Sequence, residues 1–314
     1  MSARDSGTDS GNVPGATTEA PGAPDVPATS GLARKTLMAL GIGAFGSWAA
    51  ASVYLYRVQD RAIFPMPDVE LSTLKSAAAE AGVRQIEVLA EDGTRLYGWH
   101  LPAVAPQDRA DRRAILYFHG NASSVQDAVF SHGQRAQAGW DVVSIHYRGY
   151  PGSQGAPGEE GIRLDAKAAW RFVTEDLGIE AGRVIVHGRS LGGGVALPLA
   201  AQMGPGGLVL ESTFTALIDV VKGRHPWLPA SLALRHPFRS HQYVEDLRCP
   251  TLILHGDQDR VIGVEHGRAL AERIEGAEYL ELPGVTHSGL LNEAKASIAL
   301  DRFVESSVPA TRRR

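Results

Sequence analysis

The chain has one cysteine in 314 residues, Cys249, so it can form neither an internal disulfide nor a cysteine-built zinc site. Set in Arg248-Cys249-Pro250 ahead of an apolar run, that cysteine reads as a small core hydrophobe. An excess of charge is also lacking. The 31 Lys and Arg stand against 35 Asp and Glu, a formal net charge of −4, which gives no footing for nucleic-acid binding. No internal repeat is visible, and no metal-ligand spacing links His225, His236 and His241. Large apolar side chains are nearly absent from residues 1–33, where Gly, Ala, Pro, Ser, Thr and Asp dominate. Such a segment buries too little surface to offset its ordering entropy, which predicts a disordered tail over 1–33.

What is present is a hydrophobic content of 44%, enough to build the core of one large α/β domain with additions. Residues 36–56 carry no charge and are flanked by Arg34-Lys35 and Arg57. At 1.5 Å per residue, about twenty residues span ~30 Å, the hydrocarbon thickness of a bilayer. A transmembrane anchor is therefore expected over 34–57, with residues 36–56 in the membrane. Two readings compete with it: a signal peptide cut at Ala49-Ala50-Ala51, and a buried soluble helix. The basic residues before and after the span nearly balance. The pair ahead of it tips the expectation toward an extracytoplasmic domain.

A connector over 58–80 follows, with an apolar patch, Ala62-Ile63-Phe64-Pro65, expected to dock on the domain. The catalytic domain is expected over 81–308, with a tail at 309–314. It opens with a hairpin, residues 84–88 and 95–101 around Glu91-Asp92-Gly93-Thr94. Short apolar strands then alternate with helices: strands near 114–118, 141–146, 183–187, 207–211, 251–255 and 278–282, and helices near 122–138, 158–177, 193–201, 264–274 and 289–306. That alternation predicts a mostly parallel sheet covered by helices on both faces, with chemistry gathered at the carboxyl ends of the strands.

Between the strand at 183–187 and the helix at 193–201 stands Gly188-Arg189-Ser190-Leu191-Gly192. A serine at a strand-to-helix junction occupies a turn so tight that its neighbours two residues away must lack side chains, which Gly188 and Gly192 do. The turn lifts the Ser190 hydroxyl clear of the backbone at the positive end of a helix. A neutral hydroxyl needs a base to take its proton. Of eleven histidines, His287, between the last strand and the last helix, fits a Ser-Asp-His chain order. His119, His146, His187 and His255 at strand ends read as packing or loop support, and His225, His236 and His241 as surface or cap residues. For the carboxylate that orients the base, Asp259, Asp257 and Glu211 remain open on position alone. The oxyanion of a tetrahedral intermediate needs two backbone N–H donors, and Leu191 and Asn121 in Phe118-His119-Gly120-Asn121-Ala122 are placed to supply them. Residues 213–247, with Leu217, Ile218, Val221, Trp227, Leu228, Leu232, Leu234 and Phe238, are expected to form a small cap and an apolar pocket, or an ordinary helix pair.

Phe118-His119-Gly120-Asn121-Ala122, Tyr147-Arg148-Gly149-Tyr150, Gly188-Arg189-Ser190-Leu191-Gly192-Gly193, His255-Gly256-x-x-Asp259 and Gly284-x-x-His287 occur in that order. Over residues 54–305 the chain resembles the serine α/β-hydrolases, in particular a single-pass membrane-anchored subgroup with protein depalmitoylase-like members. The resemblance implies the α/β-hydrolase fold with a small helical cap, Ser190 as nucleophile, His287 as base, and Asp259 rather than Asp257 as the acid. It implies no cofactor and no metal. Pro151 within Gly149-Tyr150-Pro151-Gly152-Ser153, Ser288 after the histidine, and Gly263 depart from the subgroup's pattern beside the pocket. The expected activity is hydrolysis of carboxylic esters or thioesters with apolar acyl groups, on a small-molecule, lipid or acylated substrate. An amidase or peptidase using the same groups, and a membrane scaffold without turnover, are the rival expectations.

Overall fold

A computed structural model describes residues 31–104, 111–227 and 230–310; the side chains of Leu32, Leu232 and Leu291 lie outside that description. The expected tail over 1–30, residues 311–314 and Leu228 of the expected cap therefore lie outside the described residues.

Among the described residues the strands join in one eight-stranded sheet of order β1-β2-β4-β3-β5-β6-β7-β8. The hairpin is β1 (Arg84–Leu89) with β2 (Arg95–Leu101), antiparallel, with Leu89 opposite Arg95. Its turn is set by Gly93 at φ +82° and by the Asp92 carboxylate, which accepts from Thr94 N–H at 3.1 Å. β2 pairs antiparallel with β4 (Asp141–Ile145). From there β4, β3 (Ala114–Phe118), β5 (Val184–Arg189), β6 (Gly207–Glu211), β7 (Thr251–Gly256) and β8 (Glu278–Leu282) run parallel.

The period of two along a strand divides the core. Leu116, Val186, Leu208 and Ile253 face the layer that contains α4 (Glu159–Arg171), α5 (Leu191–Met203) and α8 (Val264–Arg273). Ile115, Ile185, Val209 and Leu252 face the opposite layer with α2 (Leu71–Glu80), α3 (Gln126–Gln137) and α9 (Ala294–Ser307). Strands β3 to β7 are buried throughout, which is why they read as continuous apolar runs. Cys249 is partly buried against the first layer, and that burial pushes its thiol up to about 11.

Ahead of the sheet lies α1 (Gly31–Ile63), the helix long and apolar enough to cross a membrane. It begins inside the expected tail and runs past Arg57 to Ile63, because nothing breaks it before Pro65, which disfavours helical backbone at Phe64. The expected connector over 58–80 is thus mostly helix, since α1 continues to Ile63 and α2 occupies its end. The chain divides within α1 into two compact units, Met1–Ala49 and Ala50–Arg314. In the described part of the first unit, Leu37, Met38, Leu40, Ile42 and Phe45 are all exposed. In the second, Ile63 and Phe64 of the expected docking patch are buried, with Phe64 packed edge-on to Phe238.

The Tyr147-Arg148-Gly149-Tyr150 segment after β4 is fixed by a buried ion pair. Asp165 on α4, fully buried, accepts from Arg148 Nε at 2.9 Å, from its Nη2 at 2.7 Å and from its backbone N–H at 2.8 Å. Asp165→Ala would leave the guanidinium without its buried partner. A loss of about 3–5 kcal/mol is expected by urea unfolding of the full-length chain, against less than half of that for Asp92→Ala, whose carboxylate pairs with the same guanidinium at the surface.

Candidate active site

Ser190 sits between β5 and α5 at φ +53°, ψ −119°, a conformation that L-residues rarely adopt. The packing around it enforces that backbone. A Cβ on Gly192 would lie 2.0 Å from the Phe118 carbonyl oxygen, and one on Gly188 would lie 2.3 Å from the Gly192 carbonyl oxygen. The turn is tied down by Ser190 N–H donating to Glu211 O at 2.8 Å and by Thr213 Oγ1 donating to Ser190 O at 2.7 Å. Thr213 carries no sequence signal, since its role depends on β6 lying beside β5.

His287, in the loop after β8, brings Nε2 to 3.1 Å from Ser190 Oγ and Nδ1 to 2.7 Å from Asp259 Oδ2. With a carboxylate at Nδ1, that nitrogen carries the proton and Nε2 is left to accept from the serine hydroxyl. Asp259 is itself buried. Its Oδ1 accepts from Val261 N–H and Ile262 N–H, both at 2.8 Å, and His255 Nε2 lies 3.3 Å from its Oδ2. Burial alone would raise the Asp259 carboxyl. The hydrogen bonds from His255, His287 and Ile262 N–H outweigh it and hold the group well below the usual carboxylate range.

The other two carboxylates are elsewhere. Asp257 turns back to accept from Gly284 N–H at 2.7 Å. Glu211 lies beneath the serine turn, 3.2 Å from His187 Nε2 and 3.1 Å from Arg189 Nε. Burial raises the Glu211 carboxyl and His187 with Arg189 lower it, the net shift being downward.

Leu191 opens α5, so its N–H has no carbonyl one turn back within the helix. Asn121 follows Gly120, whose Cβ position would be 3.2 Å from Ser190 Cβ. Among the described residues Asn121 N–H has no hydrogen-bond acceptor. Ala122, next in line at φ +53°, donates to Pro65 O at 3.1 Å, and Tyr150 Oη donates to the same oxygen at 3.1 Å. The segment after α1 thus helps to hold this loop.

Both Asn121 and Leu191 border a cavity of about 350 Å³ with Ser190 at its base, lined wholly by residues of the second unit. Phe214, Leu217, Val221 and Leu234 from the 213–247 segment line it, the first two at or beside α6 (Leu217–Arg224) and the last just past α7 (Ala230–Ala233). Ile262, Arg224 and the end of α1 also line it. His225 also borders the cavity, whereas His236 pairs with Asp60 and His241 lies near Thr215 O. Among the described residues no group of three or more His, Cys, Asp or Glu is placed to hold a metal ion.

The strand-end histidines brace the loops. His146 Nε2 accepts from Val125 N–H at 3.0 Å, so its proton sits on Nδ1 and is donated to Pro151 O at 2.8 Å. Burial, with His119 nearby, pushes His146 down to about 3, and burial pushes His119 down to about 4.

No protein-family model matches the chain. It is 31% identical over 278 residues to the uncharacterized protein Rv2307c of Mycobacterium tuberculosis, covering 86% of this chain and 96% of that one. It is 30% identical over 200 residues to the α/β hydrolase domain-containing protein aho-3 of Caenorhabditis elegans, covering 63% of this chain and 59% of that one. Among solved structures, the Pyrococcus furiosus esterase Pf2001 superposes with a TM-score of 0.61 at 18% identity, over 78% of this chain and 98% of that one. An α-β hydrolase from Vibrio vulnificus does so at 0.59 and 20% identity, over 80% and 89%.

The depressed histidines give a pH dependence of stability. Unfolded, His119 and His146 take up protons near their ordinary value of 6.5; folded, they resist until about 4 and 3. The unfolded chain binds more protons across that window, so stability falls as pH drops below about 6.5, by about 1.4 kcal/mol per pH unit for each histidine. Urea midpoints of the full-length chain between pH 7 and 4 should show this decline, with a shallower slope in His146→Gln, whose amide keeps one acceptor and one donor but binds no proton.

Proposed function

We propose that the chain, which has the α/β-hydrolase fold, is a membrane-anchored serine hydrolase that cleaves carboxylic esters or thioesters of apolar acyl groups through an acyl-enzyme intermediate. The observation that carries this reading is the chain of contacts Ser190 Oγ to His287 Nε2 at 3.1 Å and His287 Nδ1 to Asp259 at 2.7 Å, with Ser190 opening onto a cavity lined mainly by aliphatic and aromatic side chains.

In this mechanism the Ser190 hydroxyl attacks the substrate carbonyl carbon while its proton passes to His287 Nε2. The carbonyl oxygen becomes an oxyanion held by the N–H groups of Leu191 and Asn121, each worth ~3 kcal/mol of transition-state stabilisation. The intermediate collapses by breaking the bond to the alcohol or thiol, which leaves with the proton from His287. A water molecule then gives its proton to His287 and attacks the acyl-serine, and the acid departs as Ser190 recovers its proton. Asp259, kept ionised by its hydrogen bonds, holds the imidazole tautomer and offsets the positive charge that His287 acquires.

The apolar acyl preference is supported by Phe214, Leu217, Val221 and Leu234 beside the serine, and anchoring by the exposed apolar surface of α1. In this reading the 213–247 segment is the cap of the site, and the length and apolar character of α1 support the membrane-anchored subgroup that the motifs resemble.

Labelling of the full-length chain with a fluorophosphonate probe should be complete in wild type and absent in Ser190→Ala, with kcat on a p-nitrophenyl acyl ester lower by about 10⁶. Asp259→Asn should lower kcat by about 10⁴ through the wrong tautomer of His287, while Asp257→Asn stays within a few-fold of wild type. Undiminished turnover in Ser190→Ala would overturn the assignment.

A further inference from the structure

Part of the wall around Ser190 comes from the last turns of α1. Ser52, Leu55, Tyr56, Gln59, Ala62 and Ile63 all border the cavity. Their spacing of three and four residues gathers them on one helical face. The adjacent face is turned away: Val53 is 54% and Tyr54 66% exposed.

The helix is fastened in this position by a buried amide. Gln59, only 8% exposed, donates from Nε2 to Ala233 O at 2.9 Å and accepts at Oε1 from Arg235 N–H at 2.8 Å. Asp60 adds an ion pair to Arg235 at 2.5 Å, and its Oδ1 lies 3.2 Å from His236 Nε2. These bonds bind α1 to the same 213–247 segment that supplies the rest of the apolar lining. A helix that served only as a tether would need no such docking, because a linker between span and domain keeps the domain at the membrane equally well. Docking does have a consequence for a ligand. It fixes Leu55 and Tyr56 in the lining of the cavity that also contains Ser190.

We propose that residues 52–63 of the anchor helix are a specificity wall: they bound the acyl-binding cavity and set the acyl length that the site accepts. The substrate class is then an ester or thioester of an extended acyl chain, sized by the anchor as well as by the cap. The proposal rests on the serine-hydrolase reading of the same cavity.

The test uses the full-length chain in detergent micelles and p-nitrophenyl esters from acetyl to palmitoyl. Each methylene that finds apolar room contributes about fourfold to kcat/KM. Leu55→Trp, which removes room for two or more methylenes, should lower the decanoyl-to-acetyl ratio of kcat/KM by about tenfold or more and move the optimum to shorter chains. Leu55→Ala should move it to longer ones. Val53→Trp, on the exposed face, should keep the wild-type profile. Fluorophosphonate labelling of Ser190 in each variant shows that the site is folded. Profiles unchanged in both Leu55 variants, or shifted equally by Val53→Trp, overturn the wall while leaving the hydrolase intact. A wild-type chain that neither labels nor hydrolyses any ester overturns the hydrolase reading, and the wall with it.

Discussion

The site depends on a steric constraint: at Gly188, Gly192 and Gly193 around Ser190 there is no space for a side chain on the backbone. Phe118 O on β3 occupies the place of a Gly192 Cβ, and Thr213 Oγ1, past the end of β6, lies 2.2 Å from where a Gly193 Cβ would stand. Strands β3 and β5 therefore meet α5 at backbone contact, and the Thr213 side chain closes the turn from the β6 side. Ser190 holds a positive-φ conformation, and strain of about 1–3 kcal/mol is held by the bonds from Ser190 N–H and to Ser190 O. The same closeness sets Gly120 against Ser190, and Asn121 and Leu191 on either side of that contact both border the cavity.

Charge beneath the turn is arranged to tolerate burial. Glu211 faces both His187 and Arg189, and Arg189 also donates to His287 O at 3.4 Å, so the serine turn and the histidine loop share one anchor. A second buried histidine attends Asp259. His255 Nε2 lies 2.9 Å from Ile262 O and 3.3 Å from Asp259 Oδ2, which makes it a donor toward both and gives the carboxylate a fixed partner besides His287. In a low-dielectric site a carboxylate with four donors about it stays ionised and stays in place. That is the condition under which it can hold an imidazole.

Local chemistry was the legible part of this chain. The strands are buried on both faces and therefore announce themselves as apolar runs, and the glycines at 188 and 192 mark a junction that no other residue fits. The choice between Asp257 and Asp259 was not legible from position. It turns on which carboxylate the loop after β7 uses for its own backbone: Asp257 closes the loop onto Gly284, and Asp259 is left facing His287. The extent of α1 was read short because a charge at Arg57 ends a hydrophobic run without ending a helix. The partners of Gln59 were out of reach altogether. Ala233 and Arg235 lie more than 170 residues away in sequence, and nothing near Gln59 signals that its amide is buried.

That last point changes where the functional domain starts. Hydropathy draws the line at Arg57, at the end of the charge-free run. The cavity draws it earlier, since Ser52, Leu55 and Tyr56 already line it. A chain beginning after Arg57 would lose the apolar side chains that precede Gln59 and leave the cavity open on that side, although every strand of the sheet would remain. A chain cut at Ala49-Ala50-Ala51 would lose the span yet keep the wall. The boundary that matters to a ligand therefore falls inside the helix, three turns before its end, where the same secondary structure passes from surface without cover to surface facing the serine.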